Sequence, residues 1–541
     1  MFGRSDCPPG PEILRFVVLG LSRAPARLAL PVVCGRTAPC IILKTWFFIA
    51  AVVLAGFVAV RPLSAVPSDP ASLPSKPDPI EGIWTGTVTA PQGTAAEIGF
   101  EFFRAQDGAM IFKLNFPAMF TYAVTFGIPV EVGGGGSYAI TPAFNTRLHL
   151  EGDELTGTFT LGRLPMRLHR GGVFSAPPSD SPDPLPPAAV WTRFLGSPTW
   201  APPVVAGGFV YLGTADGKFH ALRVADGAEA WTWTGASRID GAAVVTDDTI
   251  FFIDGKVNLV ALNRADGFPR WTVALHDEQL AGKPVPDNPT FNHRTAIPLV
   301  QDGVVYAGSS DGGLYAIAAA SGAKLWRYDA GAPIFSGVSL RDKDTLMFGT
   351  MDGSVVLLDR RTRKELLRVR TGGGVVTAPL VVGDRLIVGS RDYMLYGFKL
   401  TDGTLAWKFS YWFSWIESTP VLRDGVVYVG ASDYSRVTAL DPATGETRWS
   451  TAVHGMNWGS PLVTGDRVFT GAVAQNLPGT AINHAGSLVA LDRATGTVLW
   501  RRLSAVPAKG EFGGYAGSLA LAGDLVIAAG FDGNLIALPA K

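Results

Sequence analysis

Short apolar runs alternate with glycine-rich turns over most of this chain, and the alternation repeats at a fixed spacing. The stretch VVYAGSSDGGLYAIAAASGAKLW ends at Trp326, and VVYVGASDYSRVTALDPATGETRW ends at Trp449. Within the runs, valine, tyrosine and leucine alternate with small or polar residues, which is typical of β-strands. Asp-Gly and Thr-Gly pairs separate the runs, where a two-residue hairpin turn needs positive φ. Four strands in roughly forty residues predict one blade of a β-propeller.

The repeat predicts eight such blades. Each unit ends at a large apolar residue, and these residues are Trp191, Trp231, Trp271, Trp326, Leu367, Trp407, Trp449 and Trp500. Two units carry insertions, at residues 276–294 and 472–486. The last unit supplies only three strands. Residues 189–196 are therefore expected to add its fourth strand and to close the ring without an open edge.

The recurring tryptophan is expected to anchor the outermost strand of its blade. Its indole offers a large, rigid apolar surface, and the indole N–H can reach a backbone carbonyl. Leu367 is the one exception in the series. It indicates either a weakly packed blade or a docking surface on blade four.

The phrase D-G-x-L-x-A-L-D-x-x-T-G-x-x-x-W resembles the PQQ-like (pyrroloquinoline quinone) repeat and covers residues 189–541. Eight-bladed proteins with this repeat include the quinoprotein alcohol and glucose dehydrogenases. They also include non-catalytic propellers of the BamB type, which this chain resembles more closely in character. The resemblance implies an all-β, eight-bladed propeller. It leaves the function open, because function depends on the site and not on the fold.

The N-terminal part predicts export. Residues 41–60 form an apolar run behind an arginine-containing lead, residues 1–40, which is either cytoplasmic or precedes the true start. The run is expected to be a signal anchor with a cytoplasmic N-terminus, or a signal peptide cleaved near residues 63–65. The protein would then lie in the bacterial inner membrane with a periplasmic C-terminal region, or be secreted. All three cysteines lie within the first 40 residues, so disulfides are not expected in the exported part.

Composition and turn signals divide the exported part further. Residues 61–79 form a Pro/Ser linker, and residues 80–172 read as a small antiparallel β-barrel or meander. A Pro-rich linker at residues 173–188 leads to the propeller at 189–541. Lys+Arg and Asp+Glu both number 46, and no basic stripe appears, so nucleic acid is not an expected partner.

Alignment of the blades predicts a candidate binding ring at the channel mouth, just before the innermost strand of each blade. It mixes aromatic residues with a few charges. Its candidate members are Trp200, Arg238, Asp240, His293, Phe335, Trp415, Glu417, Trp458 and Tyr515. Such a lining suits a flat or carbohydrate-like ligand, or a peptide strand. The alternative is that the aromatic residues plug the channel while the charges pair or are solvated.

Two functions follow from these patterns. A quinoprotein dehydrogenase of alcohols or sugars would need PQQ above a tryptophan and Ca²⁺ held by grouped oxygens. Asp240 and Glu417 belong to blades two and six, on opposite sides of the ring, so the acids are not expected to cluster. We therefore expect a non-enzymatic scaffold that needs no cofactor or metal and binds an envelope protein or polymer. The PQQ/Ca²⁺ enzyme is the alternative.

Overall fold

The computed structural model describes residues 77–541 except 120, 141–144, 160–163, 177–182, 277–295, 413, 476–484 and 509. Within that part, the regular structure is β apart from one 3-10 turn, Pro117–Met119. The expected signal anchor and the lead before it lie outside the described residues. Across residues 77–541, with those gaps, no helix has the length and apolar character needed to cross a membrane.

Nine antiparallel strands between residues 82 and 170 form one sheet, in the order β4-β3-β2-β1-β9-β8-β7-β6-β5. They are β1 (Gly82–Thr89), β2 (Ala95–Arg104), β3 (Met110–Phe116), β4 (Thr121–Phe126), β5 (Glu131–Val132), β6 (Ser137–Ile140), β7 (Thr146–Glu151), β8 (Glu154–Phe159) and β9 (Leu164–Arg170). Alternate residues of these strands point into an aromatic core. Phe100 and Phe102 stack there at 5.5 Å, and the fully buried Trp84 donates its indole N–H to Ile80 O at 2.7 Å.

The described residues that follow β9 form eight antiparallel sheets, which confirms the predicted eight-bladed propeller. Blade one consists of β11 (Val204–Ala206), β12 (Phe209–Gly213), β13 (Lys218–Arg223) and β14 (Glu229–Thr234), and blade two of β15 (Val244–Val245), β16 (Thr249–Ile253), β17 (Asn258–Asn263) and β18 (Pro269–Ala274). Blade three consists of β19 (Leu299–Gln301), β20 (Val304–Gly308), β21 (Gly313–Ala318) and β22 (Lys324–Asp329), and blade four of β23 (Ser339–Asp342), β24 (Thr345–Gly349), β25 (Ser354–Asp359) and β26 (Glu365–Arg370).

Blades five to seven follow the same order, and blade eight closes the ring. Blade five consists of β27 (Leu380–Val382), β28 (Arg385–Gly389), β29 (Met394–Lys399) and β30 (Leu405–Ser410), and blade six of β31 (Val421–Arg423), β32 (Val426–Ala431), β33 (Arg436–Leu440) and β34 (Thr447–Ala452). Blade seven consists of β35 (Leu462–Val463), β36 (Arg467–Gln475), β37 (Ser487–Asp492) and β38 (Val498–Leu503), with β39 (Phe512–Gly514) beside β36. Blade eight consists of β40 (Ala520–Ala522), β41 (Leu525–Ala529) and β42 (Asn534–Pro539) together with β10 (Trp191–Phe194).

Blade eight is built from both ends of the propeller. Strand β10 pairs antiparallel with β42, and Trp191 lies opposite Ala537. The prediction that an N-terminal strand completes the last blade is confirmed. Closure in this way gives blade eight the outer strand that residues 520–539 alone would lack.

Five of the outer-strand tryptophans bond to the next blade. The indole N–H of Trp191 donates to Val224 O at 2.8 Å, and that of Trp407 donates to Pro442 O at 3.0 Å. The same contact starts from Trp231, Trp271 and Trp449. Each ring also rests on a turn glycine of the next blade, since a Cβ built at Gly445 would lie 2.6 Å from Trp407. The buried Trp500 of blade seven packs against blade eight, which lacks this turn, and its N–H has no acceptor in the described residues.

Candidate functional site

A repeated hydrogen bond holds the residues before the innermost strand in seven blades, all except blade three, where this segment lies outside the described residues. In blade five, Arg391 N–H donates to Gly374 O at 2.9 Å, and in blade six Ser432 N–H donates to Trp415 O at 2.9 Å. These bonds join the segment before the first strand to the turn between the second and third strands. Two sets of side chains therefore lie together at this end of the blades, and the blade alignment identifies only the first.

Neighbouring blades are also joined at this level. Thr419 N–H donates to Ser460 Oγ at 3.2 Å, and Ser460 N–H donates to Ser518 Oγ at 2.8 Å. These bonds run from blade six to seven and from seven to eight. They hold the first strands of blades six, seven and eight side by side.

Blades five and six place an arginine, a tryptophan and a glutamate together. Arg391 Nε donates to Glu417 Oε1 at 2.8 Å, and its guanidinium lies 4.7 Å from the ring centroid of Trp415. Glu417 is buried, and the side chain of Arg391 is nearly so. A buried ion pair of this kind is held by its own geometry and by the aromatic plate beside it.

Asp433 lies beside this cluster. Burial raises the pKa of its carboxyl to about 6, the hydroxyl of Ser432 opposes that shift, and the charge of Glu417 adds to it. Ser432 Oγ also accepts the indole N–H of Trp458 at 2.7 Å. Ser432 therefore links Asp433 by hydrogen bonds to Trp458 in the aromatic part of the ring.

The aromatic part joins blades one, seven and eight. Trp200 and Trp458 stack with centroids 5.6 Å apart and planes 12° apart. Phe512 and Phe531 meet the Trp200 ring edge-on at 5.2 and 4.5 Å. Phe512 reaches this position because β39 pairs with the extended end of β36, where Val473 lies opposite Gly514.

The remaining predicted residues are distributed differently. Arg238 forms an ion pair with the buried Asp240 on blade two. Burial raises the pKa of Asp240 to about 6, and the Arg238 charge offsets this only in part. Phe335 is half-buried on blade four. His293 lies outside the described residues.

Tyr515 does not belong to the ring. Phe531 N–H donates to Gly514 O at 3.0 Å, the bond that elsewhere marks the residue two places before the ring position. Ala516 therefore takes the ring position. Tyr515 packs in the buried core between blades seven and eight, with its Cβ 2.7 Å from the place of a Cβ at Gly471. The alignment is one residue off because Leu519 stands three residues after the ring position, where five other blades have a proline, namely Pro203, Pro298, Pro379, Pro420 and Pro461.

Two residues that the alignment missed are important to this site. Arg391 and Phe531 occupy the turn between the second and third strands, where blades one and three have Ala215 and Ser310. The same alignment, applied to the turn, shows that Arg391 is the charged member of that position. Nothing in the strand periodicity singles it out.

The ring does not fit the metal chemistry of a quinoprotein. Ca²⁺ needs six or more oxygens within one small volume. Here Glu417 is held by Arg391 and Asp240 by Arg238, on opposite blades. In the part of the chain that the structure describes, no group of three or more His, Cys, Asp or Glu side chains could hold a metal ion. The faces of Trp200 and Trp458 that meet are also closed to a cofactor, because the two rings stack on each other.

Fold and repeat together define an eight-bladed propeller of PQQ-like repeats. Four overlapping matches to the family model described as outer membrane protein assembly factor BamB span residues 188–320, 232–362, 310–412 and 412–541. The chain belongs to this family.

Individual relatives are more distant. The BamB of Shewanella oneidensis is 28% identical over 267 residues, which is 46% of this chain and 60% of that protein. The chain thus spans less than two thirds of that relative. A 1-butanol dehydrogenase (quinone) of Thauera butanivorans is 31% identical over 163 residues, 27% of this chain and 24% of that enzyme. A computationally designed protein, Ika8, matches the fold with a TM-score of 0.51 at 16% identity, over 65% of this chain and 99% of the design.

Proposed function

We propose that this chain is an exported, membrane-tethered propeller that binds another protein or an envelope polymer at its channel mouth and acts as a scaffold. The observation that carries the proposal is that both ring carboxylates are engaged by arginines. Arg391 holds Glu417, and Arg238 holds Asp240. A prearranged surface of paired charges and aromatic plates is suited to recognition, since little has to be reordered on binding.

The relatives support the same kind of work. An outer-membrane assembly factor makes its contacts in the cell envelope, where the apolar run at residues 41–60 would place this propeller. Under the proposal, this run anchors the chain in the bacterial inner membrane, or directs secretion if it is cleaved. In the same proposal, residues 80–172 are a small domain between the two linkers that packs on the propeller through Trp412, and residues 189–541 face the periplasm.

The binding surface can be tested by photocrosslinking in cells. A photoreactive phenylalanine analogue is placed in the full chain at Phe335 or Phe512, both at the ring. We expect it to capture a defined envelope protein or polymer. Phe268 is the matched control, because it is exposed on the outer side of blade two. The same captured species from Phe268, or none from either ring position, would argue against the ring as the binding surface.

The rival function is a PQQ- and Ca²⁺-dependent dehydrogenase of alcohols or sugars. Its support is the partial similarity to the quinone-dependent 1-butanol dehydrogenase. The test is titration of the purified chain with PQQ and Ca²⁺, followed by tryptophan fluorescence and by dye reduction with alcohol and sugar substrates. We expect neither saturable binding nor reduction. Binding that is lost in Trp458→Ala, together with substrate-dependent reduction, would establish the rival.

A further inference from the structure

The outer side of blade four departs from its sister blades in the turn before its last strand. In six sister blades, one turn residue donates its N–H to the carbonyl four residues earlier and is a glycine with φ between +67° and +75°. Blade four has Arg363 in this place, with the same hydrogen bond at 2.8 Å and φ +61°. An L-residue is disfavoured in this conformation, and strain of this kind is found at functional positions.

The same turn is strongly cationic. Blade four reads Arg360, Arg361, Thr362, Arg363, Lys364 where blade seven reads Arg493, Ala494, Thr495, Gly496, Thr497. Residues 361–364 are all exposed, and Arg361 leaves two thirds of its side chain in solvent while pairing with Asp344 at 2.8 Å. The whole chain is neutral, so this concentration of positive charge is local.

Apolar side chains are exposed directly beside the turn. Leu366 occupies the bulge of β26 and is 49% exposed, and Leu325, at the same place in β22, is 51% exposed. On the next blade, Leu405 of β30 is 48% exposed. At the bulge position, blades two and six carry Arg270 and Arg448 instead.

These strands are neighbours around the rim. Arg368 of β26 donates to the hydroxyl of Tyr328 in β22 at 3.1 Å, and the same hydroxyl bonds to Glu365. Strands β22 and β26 are also the end strands of their sheets. Among the described strands, none pairs with the outer edge of either one, so their outward N–H and C=O groups can receive an added strand.

We propose that this blade-four rim, formed by residues 361–364 together with Leu325, Leu366 and Leu405, binds an extended acidic segment of a partner protein. The segment would lie along β26, with carboxylates at the cationic turn and apolar side chains over the leucines. Arginine and lysine also protect an edge strand from unwanted pairing. Protection alone requires neither an arginine in the left-handed conformation nor a row of exposed leucines.

The test converts the blade-four turn into that of blade seven, with Arg361→Ala, Arg363→Gly and Lys364→Thr in the full chain. The probe is a fluorescein-labelled peptide of alternating leucine and glutamate, and its affinity is measured by fluorescence anisotropy. We expect affinity to fall about tenfold or more, because three charges facing the peptide are lost. We also expect an equal or higher melting temperature, because glycine relieves the strained φ. Weaker binding would then not be due to misfolding.

Controls separate this site from general charge effects. One control variant combines Arg193→Ala, Arg223→Ala and Arg448→Ala. It removes three positive charges, as the turn variant does, but from blades eight, one and six, and it should leave binding unchanged. Leu366→Ser should weaken binding with the turn intact. The proposal is overturned if the turn variant binds the peptide as well as the parent, or if the control variant loses as much affinity. It is equally overturned if vesicles containing phosphatidylglycerol bind at this turn and the acidic peptide does not.

Discussion

Trp412 leaves the propeller and enters the core of the nine-stranded sheet, where its ring stands edge-on to Phe116 at 5.5 Å. It lies in the connection between β30 and β31. Nearby, Gln92 Oε1 accepts Ser410 N–H at 3.1 Å. The same connection continues to Trp415 and Glu417 at the channel mouth. This one connection thus contacts the small sheet at Trp412 and the candidate site at Trp415 and Glu417.

Removal of this indole should loosen the sheet. Trp412 is 4% exposed, so Trp412→Ala is expected to cost about 3–5 kcal/mol. In calorimetry, the nine-stranded sheet of the variant should unfold at a lower temperature than in the parent, in a transition separate from that of the propeller. Trp415→Ala is the control, since it truncates a half-buried ring of the same connection outside that core. An unchanged transition in Trp412→Ala would contradict the assigned packing.

The contribution of the Trp407 contact to stability can be measured by replacing two glycines of almost equal φ, of which only one faces the indole. Gly445 has φ +74° and faces Trp407, whereas Gly425 has φ +72° and nothing within 4 Å of a built Cβ. Replacement of either by alanine should cost about 1–2 kcal/mol of backbone strain. Gly445→Ala should cost a further ~1–3 kcal/mol, because the methyl group collides with the indole. Equal denaturant midpoints for the two variants would show that the indole contact is unimportant.

Closure of the ring predicts a difference within strand β10. Trp191→Ala should lower the free energy of unfolding by about 2–3 kcal/mol, because it removes a partly buried indole and its bond to Val224 O. Phe194→Ala, in the same strand, should have little effect, because Phe194 is 66% exposed. Chemical denaturation of both variants tests this. A larger loss in Phe194→Ala would exclude the observed register.

Asp240 should make the protein less stable as the pH rises. Its pKa is raised by burial to about 6, against an ordinary value of 3.8. Between about pH 4 and 6 the unfolded chain loses this proton while the folded chain keeps it, so folding becomes less favourable. Asp240→Asn should not show this loss. Between pH 4 and pH 7 its free energy of unfolding should therefore gain about 1–3 kcal/mol relative to that of the parent.

Asp352 serves as the control of opposite sign. Its burial is outweighed by hydrogen bonds from Thr350 and Ser354, which lower its pKa. Asp352→Asn should therefore remove stability that the parent has above the ordinary pKa and loses as the pH falls. If both variants show the same slope of unfolding free energy against pH, the assigned environments are wrong.

The periodic part of this molecule could be predicted from the sequence because each blade repeats the same constraint. The spacing of Trp191 to Trp500 predicted the eight blades and their closure. Trp412 and Arg391 could not be found in this way. Trp412 packs against residues some three hundred positions earlier, and no local pattern records that contact. Tyr515 shows the limit of alignment itself, since a slip of one residue exchanges a buried position for a ring position.

Synthesis proceeds from the N-terminus, so the two strands that close the ring are made at different times. Trp191 is synthesised well before its partner Ala537, which follows 346 residues later. Until then strand β10 has no sheet to join, and the first and last blades stand apart. The nascent propeller is thus an open arc with two unprotected ends, which can pair wrongly until β42 has been made. Strand β42 therefore determines whether the ring closes.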